Sequence, residues 1–194
     1  MDHFRYRNGR LWAEEVEIGQ IAEAVGTPVY VYARATFEEH LSKIQDAYRP
    51  LDNTICFSVK ACANVHILRF LAEAGSGFDV VSGGELHRVL RAGGDPKKVV
   101  YAGVGKTDQE IREALNAGIG YFNIESEAEM ENLIDLAERG HASAKVALRV
   151  NPDVDYQTHA FVTTGKKETK FGVDIERAVA AFRKYGHHPR VHLC

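Results

Sequence analysis

The sequence predicts a parallel α/β fold and, within that class, a (β/α)8 barrel that these residues fill only in part. Three observations carry the prediction. Short strand-like runs recur at intervals of roughly twenty residues. Helical patterns lie between them. Glycines stand where those helices should end.

The runs are Thr54–Lys60, Phe78–Val81, Val99–Tyr101, Tyr121–Ile124 and Lys145–Val150, and a sixth begins at Arg190–Cys194. Between them, Ile67, Phe70, Leu71 and Ala74 share one helical face. So do Leu86, Val89 and Leu90, then Ile111, Ala114 and Leu115, then Met130, Leu133, Ile134 and Ala137. Thr36 with Glu39, Thr107 with Glu110, and Ser126 with Glu129 have capping-box spacing. Gly75, Gly93, Gly118 and Gly140 mark helix ends. A barrel needs eight strands and typically about 250 residues, whereas this sequence has 194. The expectation is therefore the N-terminal part of a longer protein, reaching about the sixth strand and inactive by itself. An open, Rossmann-like sheet would accommodate the length, but the spacing does not select it.

Ahead of the first barrel strand stands a lead-in: a strand-like run, Val29–Tyr32, and a helix from about Thr36 to Tyr48. The expected division is a lead-in over 1–33 and a partial barrel over 34–194. The segment Asn151–Val173 is too long and polar for a routine connection, and loops of that length are usually functional or disordered.

Hydrophobic residues make up 45% of the chain and charged residues 26%, with a net charge of −3. That composition is ordinary for a globular protein and gives no basic field for nucleic acid. No apolar run approaches the roughly 18 residues a membrane span needs, and the N-terminus lacks a signal-peptide layout. Cys56, Cys62 and Cys194 have no metal-like spacing, so a reduced, cytoplasmic setting is expected.

Lys60 is the first candidate for chemistry. In a strand, Ile55, Phe57 and Val59 would share one face and Cys56, Ser58 and Lys60 the other. An amine at the C-terminal end of a barrel strand sits where such barrels place catalytic groups. Partial burial would lower its pKa, and a neutral amine condenses with an aldehyde. A surface lysine at a strand end fits the position about equally well. Asp79 lies inside the next apolar strand, where it could stand beside Lys60. Ser82 and Glu85 read well as a helix cap with a dipole-matched acid, which leaves Asp79 unexplained. Arg149 falls in an apolar strand, and a buried guanidinium needs an anionic or hydrogen-bonding partner.

Lys166, Lys167 and Lys170 suit a solvated loop, although Lys170-Phe171-Gly172 stands directly before a helix. Gly103-Val104-Gly105-Lys106-Thr107 resembles the end of a phosphate-binding loop, but Val100 stands where its first glycine is required. His187, His188 and His192 lack metal spacing, and no metal is expected.

Taken in order, these motifs resemble the fold-type III, alanine-racemase-like pyridoxal 5'-phosphate (PLP) decarboxylases. The resemblance runs from Phe4 to Cys194. It rests on Phe4–Gly9 with Leu11, Gly26-Thr27-Pro28-Val29-Tyr30-Val31-Tyr32, Phe57-Ser58-Val59-Lys60-Ala61 and Asp79-Val80-Val81-Ser82-Gly83-Gly84-Glu85. It continues through Arg149-Val150-Asn151-Pro152 and Thr163-Thr164-Gly165 to Lys170-Phe171-Gly172.

The resemblance implies that Lys60 carries PLP covalently, with Asp79 near it and Arg149 beneath the pyridine ring. It puts Asn64 just after the cofactor lysine and Glu85 near the active site. It puts His159, Thr164, Gly165 and Lys170 in a loop at the active-site mouth and at a homodimer interface. The implied function is amino-acid decarboxylation. Asn151–Asp155, Thr158-His159 and Thr164-Gly165 look more like members acting on meso-diaminopimelate, to give lysine, than like those acting on ornithine. Decarboxylation of ornithine, arginine or carboxynorspermidine is the alternative, as is a non-catalytic PLP-binding homologue.

Overall fold

The computed structural model describes residues 2–151 and 172–194. They divide into two compact units, Met1–Ile55 and Cys56–Cys194. In the first, β1 (Phe4–Arg7), β2 (Arg10–Ala13) and β3 (Val16–Glu17) form an antiparallel sheet. Asn8, at φ 50°, and Gly9, at φ 76°, turn β1 into β2. Two successive left-handed residues twist a tight hairpin the way its strands twist, and Asn-Gly reaches that geometry with little strain. Helices α1 (Ile18–Val25) and α2 (Arg34–Tyr48) follow.

Two expectations for the lead-in are corrected. Val29–Tyr32 is not a strand. Among the described residues no ladder pairs with it, and Tyr30 is 89% exposed; apolar alternation makes a strand only where a neighbour takes the backbone groups. The Thr36–Glu39 capping box does not form either. Helix α2 starts earlier, with Ala33 as N-cap. Glu14, from the turn after β2, reaches across the unit to accept the Ala35 N–H at 2.8 Å. A remote carboxylate thus satisfies an orphan donor of the first turn, and Glu39 pairs with His3 and Lys43.

The second unit alternates strand and helix. Its strands are β4 (Cys56–Ser58), β5 (Gly77–Val80), β6 (Val99–Tyr101), β7 (Tyr121–Ile124), β8 (Ala144–Leu148) and β9 (Val191–Leu193). Its helices are α3 (Val65–Glu73), α4 (Gly83–Arg91), α5 (Asp108–Ala117), α6 (Glu127–Arg139) and α7 (Ile175–Tyr185). All six strands are parallel and lie side by side in chain order, as the βα repeat predicts.

The two faces of the sheet differ because strand side chains alternate. Phe78, Val80, Val99, Tyr101, Phe122, Ile124 and Val146 are all buried. They form a layer with the buried helix residues Leu86, Val89, Ile111, Ala114, Met130 and Leu133. The intervening positions form the other face, where register sets Ser58, Asp79, Val100 and Tyr121 next to one another. Gly118 ends α5 in the left-handed region at φ 67°. After α6 that role moves one residue on, from Gly140 to His141 at φ 51°. Among the described residues no helix is long and apolar enough to cross a membrane.

Candidate active site

The C-terminal strand ends of the second unit surround a cleft of about 950 Å³, whose walls include Lys60, Asp79, Asn123, Glu125 and Arg149. Strand β4 stops at Ser58, and Val59–Ala61 form a single 3-10 turn. Lys60 is therefore not the last strand residue. Val59 is fully buried, while Lys60 is exposed at the cleft rather than part-buried as expected. Among the described residues Lys60 makes no hydrogen bond or ion pair. Asp79 stands opposite Ser58 in the parallel register, and the Ser58 hydroxyl donates to its Oδ2 at 3.1 Å. Burial, and then the Asp79 carboxylate, push the Cys56 thiol up. Cys56 is thus held as a thiol in the same wall and not as a nucleophilic thiolate.

Arg149 also lies just past its strand, and its side chain is 47% exposed. The expected anionic partner is present, but the buried member of the pair is the acid. Glu125, with a side chain 4% exposed, accepts from Arg149 Nη1 at 3.1 and 3.2 Å. The arginine backbone is held as well: its N–H donates to Ile124 O, and its carbonyl accepts from Val173 N, both at 2.9 Å. Gly172 packs against that carbonyl. At φ 84° an added Cβ would lie 2.5 Å from Arg149 O. Gly172→Ala is therefore expected to displace Arg149 and to cost about 1–3 kcal/mol, the range for a strained backbone site. An unchanged urea midpoint would show that the backbone there yields freely.

The helices that follow the strands are tied to the cleft wall by glutamates in their first turns. Glu85 accepts the Val81 N–H at 2.7 Å. Glu110 accepts its own cap, Thr107 N, at 3.0 Å, and also Gly83 N of the preceding βα unit at 2.8 Å. Glu129 accepts Glu125 N at 2.9 Å with one oxygen and the Lys106 ammonium with the other. Glu110 thus caps its helix, Glu85 and Glu129 hold the residue before their N-caps, and Glu110 and Glu129 also stitch their helices to the unit before.

The Gly83 and Thr107 N–H groups pull the Glu110 carboxyl from 4.5 down to about 2. A lowered acid stabilises the fold fully above its unfolded pKa, and that contribution is lost as pH falls through the folded value. Stability should therefore decline between pH 4.5 and about 2. Glu110→Gln should cost about 1 kcal/mol at neutral pH, allowing for solvent screening, and should flatten this acid limb. An unchanged slope would remove Glu110 as its source.

The structure thus brings Lys60, Asp79 and Arg149 to one cleft. Asn64 and Glu85 serve neighbouring helix starts: Asn64 Oδ1 accepts the His66 N–H at 2.9 Å at the N-cap of α3. His159 and Lys170 lie outside the described residues. Sequence reasoning missed Glu125, Lys106 and Glu129. Glu125 had a signal, an acid at the end of the apolar run Tyr121–Ile124. Lys106 was set aside with the failed phosphate-loop pattern, and Glu129 passed as an ordinary cap.

Residues 34–194 match the model of a family described as pyridoxal-dependent decarboxylase, pyridoxal binding domain. Diaminopimelate decarboxylase of Pseudomonas aeruginosa is 50% identical over 184 residues, which is 95% of this chain and 44% of that protein. The Vibrio cholerae protein of the same name is 47% identical over 184 residues, 94% of this chain and 44% of its own length. Among solved structures, diaminopimelate decarboxylase from M. jannaschii in co-complex with L-lysine superposes with a TM-score of 0.89. It is 33% identical, and the match covers 99% of this chain and 46% of that one. The chain thus spans a little under half the length of the relatives it matches.

Proposed function

Because the chain belongs to the pyridoxal-dependent decarboxylases, over their pyridoxal-binding domain, we propose that the cleft at the strand ends is where it holds pyridoxal 5'-phosphate. We further propose that the protein removes CO2 from meso-diaminopimelate to give L-lysine. Lys60 is the observation that carries this reading. It is a lysine in the cleft wall with no partner among the described residues, next to a strand that carries an oriented carboxylate.

The residues present fit the cofactor: a primary amine for its aldehyde, the Asp79 carboxylate, and the Arg149 guanidinium. When bound, PLP supplies the electron sink that accepts the pair left by departing CO2. The chain's own part is to bind and to orient. Lys60 supplies the covalent hold. Ser58 fixes the Asp79 carboxylate by its hydrogen bond, so that a negative charge or a proton is kept at one place on the wall. Glu125 balances Arg149, so the guanidinium does not depend on the substrate for a counter-charge. Asn64 caps the helix that follows Lys60, and Glu85 holds the Val81 N–H just past the strand that carries Asp79. His159 and Lys170 belong to the reading as residues of the cleft mouth and of a homodimer interface, in a cytoplasmic enzyme.

The names of the relatives support diaminopimelate as substrate, as does the lysine held by the M. jannaschii protein. The test is CO2 release from a panel of amino acids by the full-length protein in the presence of PLP. Turnover of meso-diaminopimelate is expected to exceed that of ornithine and arginine by about ten-thousandfold, the discrimination available when a substrate that lacks a polar group, here the distal carboxylate, leaves the site's own polar groups unpaired. Preference for ornithine or arginine would sink the substrate assignment. Tight PLP binding with no turnover of any amino acid would favour a non-catalytic role.

A further inference from the structure

Lys106 and Glu129 stand behind the cleft wall. Their side chains are 2% and 11% exposed. A buried ammonium has three protons to place, and Lys106 places all of them: on Gly103 O at 2.9 Å, on Asn123 O at 2.9 Å and on Glu129 Oε1 at 2.5 Å. These acceptors belong to three pieces of chain: the loop after β6, the end of β7, and α6.

Glu129 departs from the ordinary capping pattern. Its N-cap, Ser126, accepts the Glu129 N–H at 3.2 Å as expected. A capping box would return the Glu129 carboxylate to the Ser126 N–H. Instead Oε2 takes the N–H of the preceding residue, Glu125, at 2.9 Å. The Glu125 carboxylate in turn holds Arg149 Nη1. The links run without a gap from the Lys106 ammonium through Glu129 and Glu125 to a guanidinium in the cleft. Asn123 and Glu125 are themselves wall residues. Lys106 therefore grips the first directly and the second through Glu129.

We infer that Lys106 and Glu129 are positioning residues for Arg149. They fix the backbone at Asn123 and Glu125 and, through the Glu125 carboxylate, set the guanidinium before the cofactor arrives. A cation already in place loses little freedom when an anionic or aromatic group binds against it. The inference rests on the cleft being the cofactor site.

The test is a double-mutant cycle of Glu129→Gln and Arg149→Met. Its readout is the dissociation constant for pyridoxal 5'-phosphate, with the urea midpoint of each variant measured alongside. Glu129→Gln should weaken binding about tenfold while Arg149 is present and less than about twofold once Arg149→Met has removed the guanidinium, the coupling expected of residues that act through one another. Additive losses would overturn the inference, as would a lowered midpoint with unchanged affinity; either leaves the pair structural only. Glu129→Asp keeps the charge beside Lys106 but draws the carboxylate back, so that it no longer spans Lys106 and the Glu125 N–H. It carries the same expectation and stands in should Glu129→Gln fail to fold. Failure of the cofactor-site reading has a different signature: Arg149→Met alone then leaves the dissociation constant unchanged, and the inference falls with it.

Discussion

Borohydride reduction of the protein in the presence of pyridoxal 5'-phosphate is expected to fix the pyridoxyl group on Lys60, and Lys60→Ala is expected to abolish that adduct. Among the described residues two lysines near the strand ends compete, and their surroundings separate them. Lys60 is exposed at the cleft and bonded to no described residue, so its amine reaches an aldehyde without breaking anything. Lys106 is buried and uses three donors on three acceptors. Freeing it would strand those acceptors, each at about 1–3 kcal/mol when buried. Even the low end of that sum disfavours Lys106 by about a hundredfold, since 1.36 kcal/mol is a factor of ten. Peptide mapping of the reduced protein decides the matter. A pyridoxyl group on Lys106 or Lys170, or one that survives Lys60→Ala at full occupancy, would break the assignment and the functional reading built on it.

The largest loss of stability is expected from Lys106→Met. Met has similar volume and no donors, so the change removes hydrogen bonds more than packing. It leaves Gly103 O, Asn123 O and the Glu129 carboxylate without the ammonium. Breaking a buried pair by deleting one partner costs about 3–5 kcal/mol, chiefly because the remaining charge is uncompensated. A domain has only about 5–15 kcal/mol to lose, so the urea midpoint should fall sharply. Adding Glu129→Leu should recover part of the loss by removing the stranded charge. It should not recover all of it, because the two carbonyls stay unpaired and the Glu125 N–H loses its acceptor as well. A loss below about 1 kcal/mol for Lys106→Met, the range of an exposed pair, would show that water reaches the site.

The acid limb of Glu110, the packing of Gly172 and the Lys106 linkage share one physical basis. Helix starts and strand ends meet at the cleft, so the carboxylates that cap the helices also set the wall. The wall is consequently expected to lose order before the helix-covered face of the sheet, whose residues Phe78, Val80 and Val99 are fully buried.

Period-two and helical patterns were enough to place the six parallel strands and the helices between them, because burial of one face depends on local alternation. The box at Thr107 and Glu110 was legible for the same reason: both partners lie within one turn. Lys60 and Asp79 stood out as polar groups in apolar runs, and the register sets Asp79 beside Ser58 on β4. The tertiary structure alone decided the rest. Strands β1–β3 are two to four residues long, too short for a periodic signal, and are held by pairing with one another. Val29–Tyr32 had a strand pattern and found no ladder among the described residues. The start of α2 was moved by Glu14, twenty-one residues before the N–H it caps. Arg149 was expected to be buried and is instead the exposed partner of a buried glutamate. Lys106, the helix start that holds Glu125 and Glu129, and Arg149 lie on three segments that only parallel pairing brings together. A sequence records what each strand and helix would bury, but the partner of a charge is settled by which segments the fold makes neighbours.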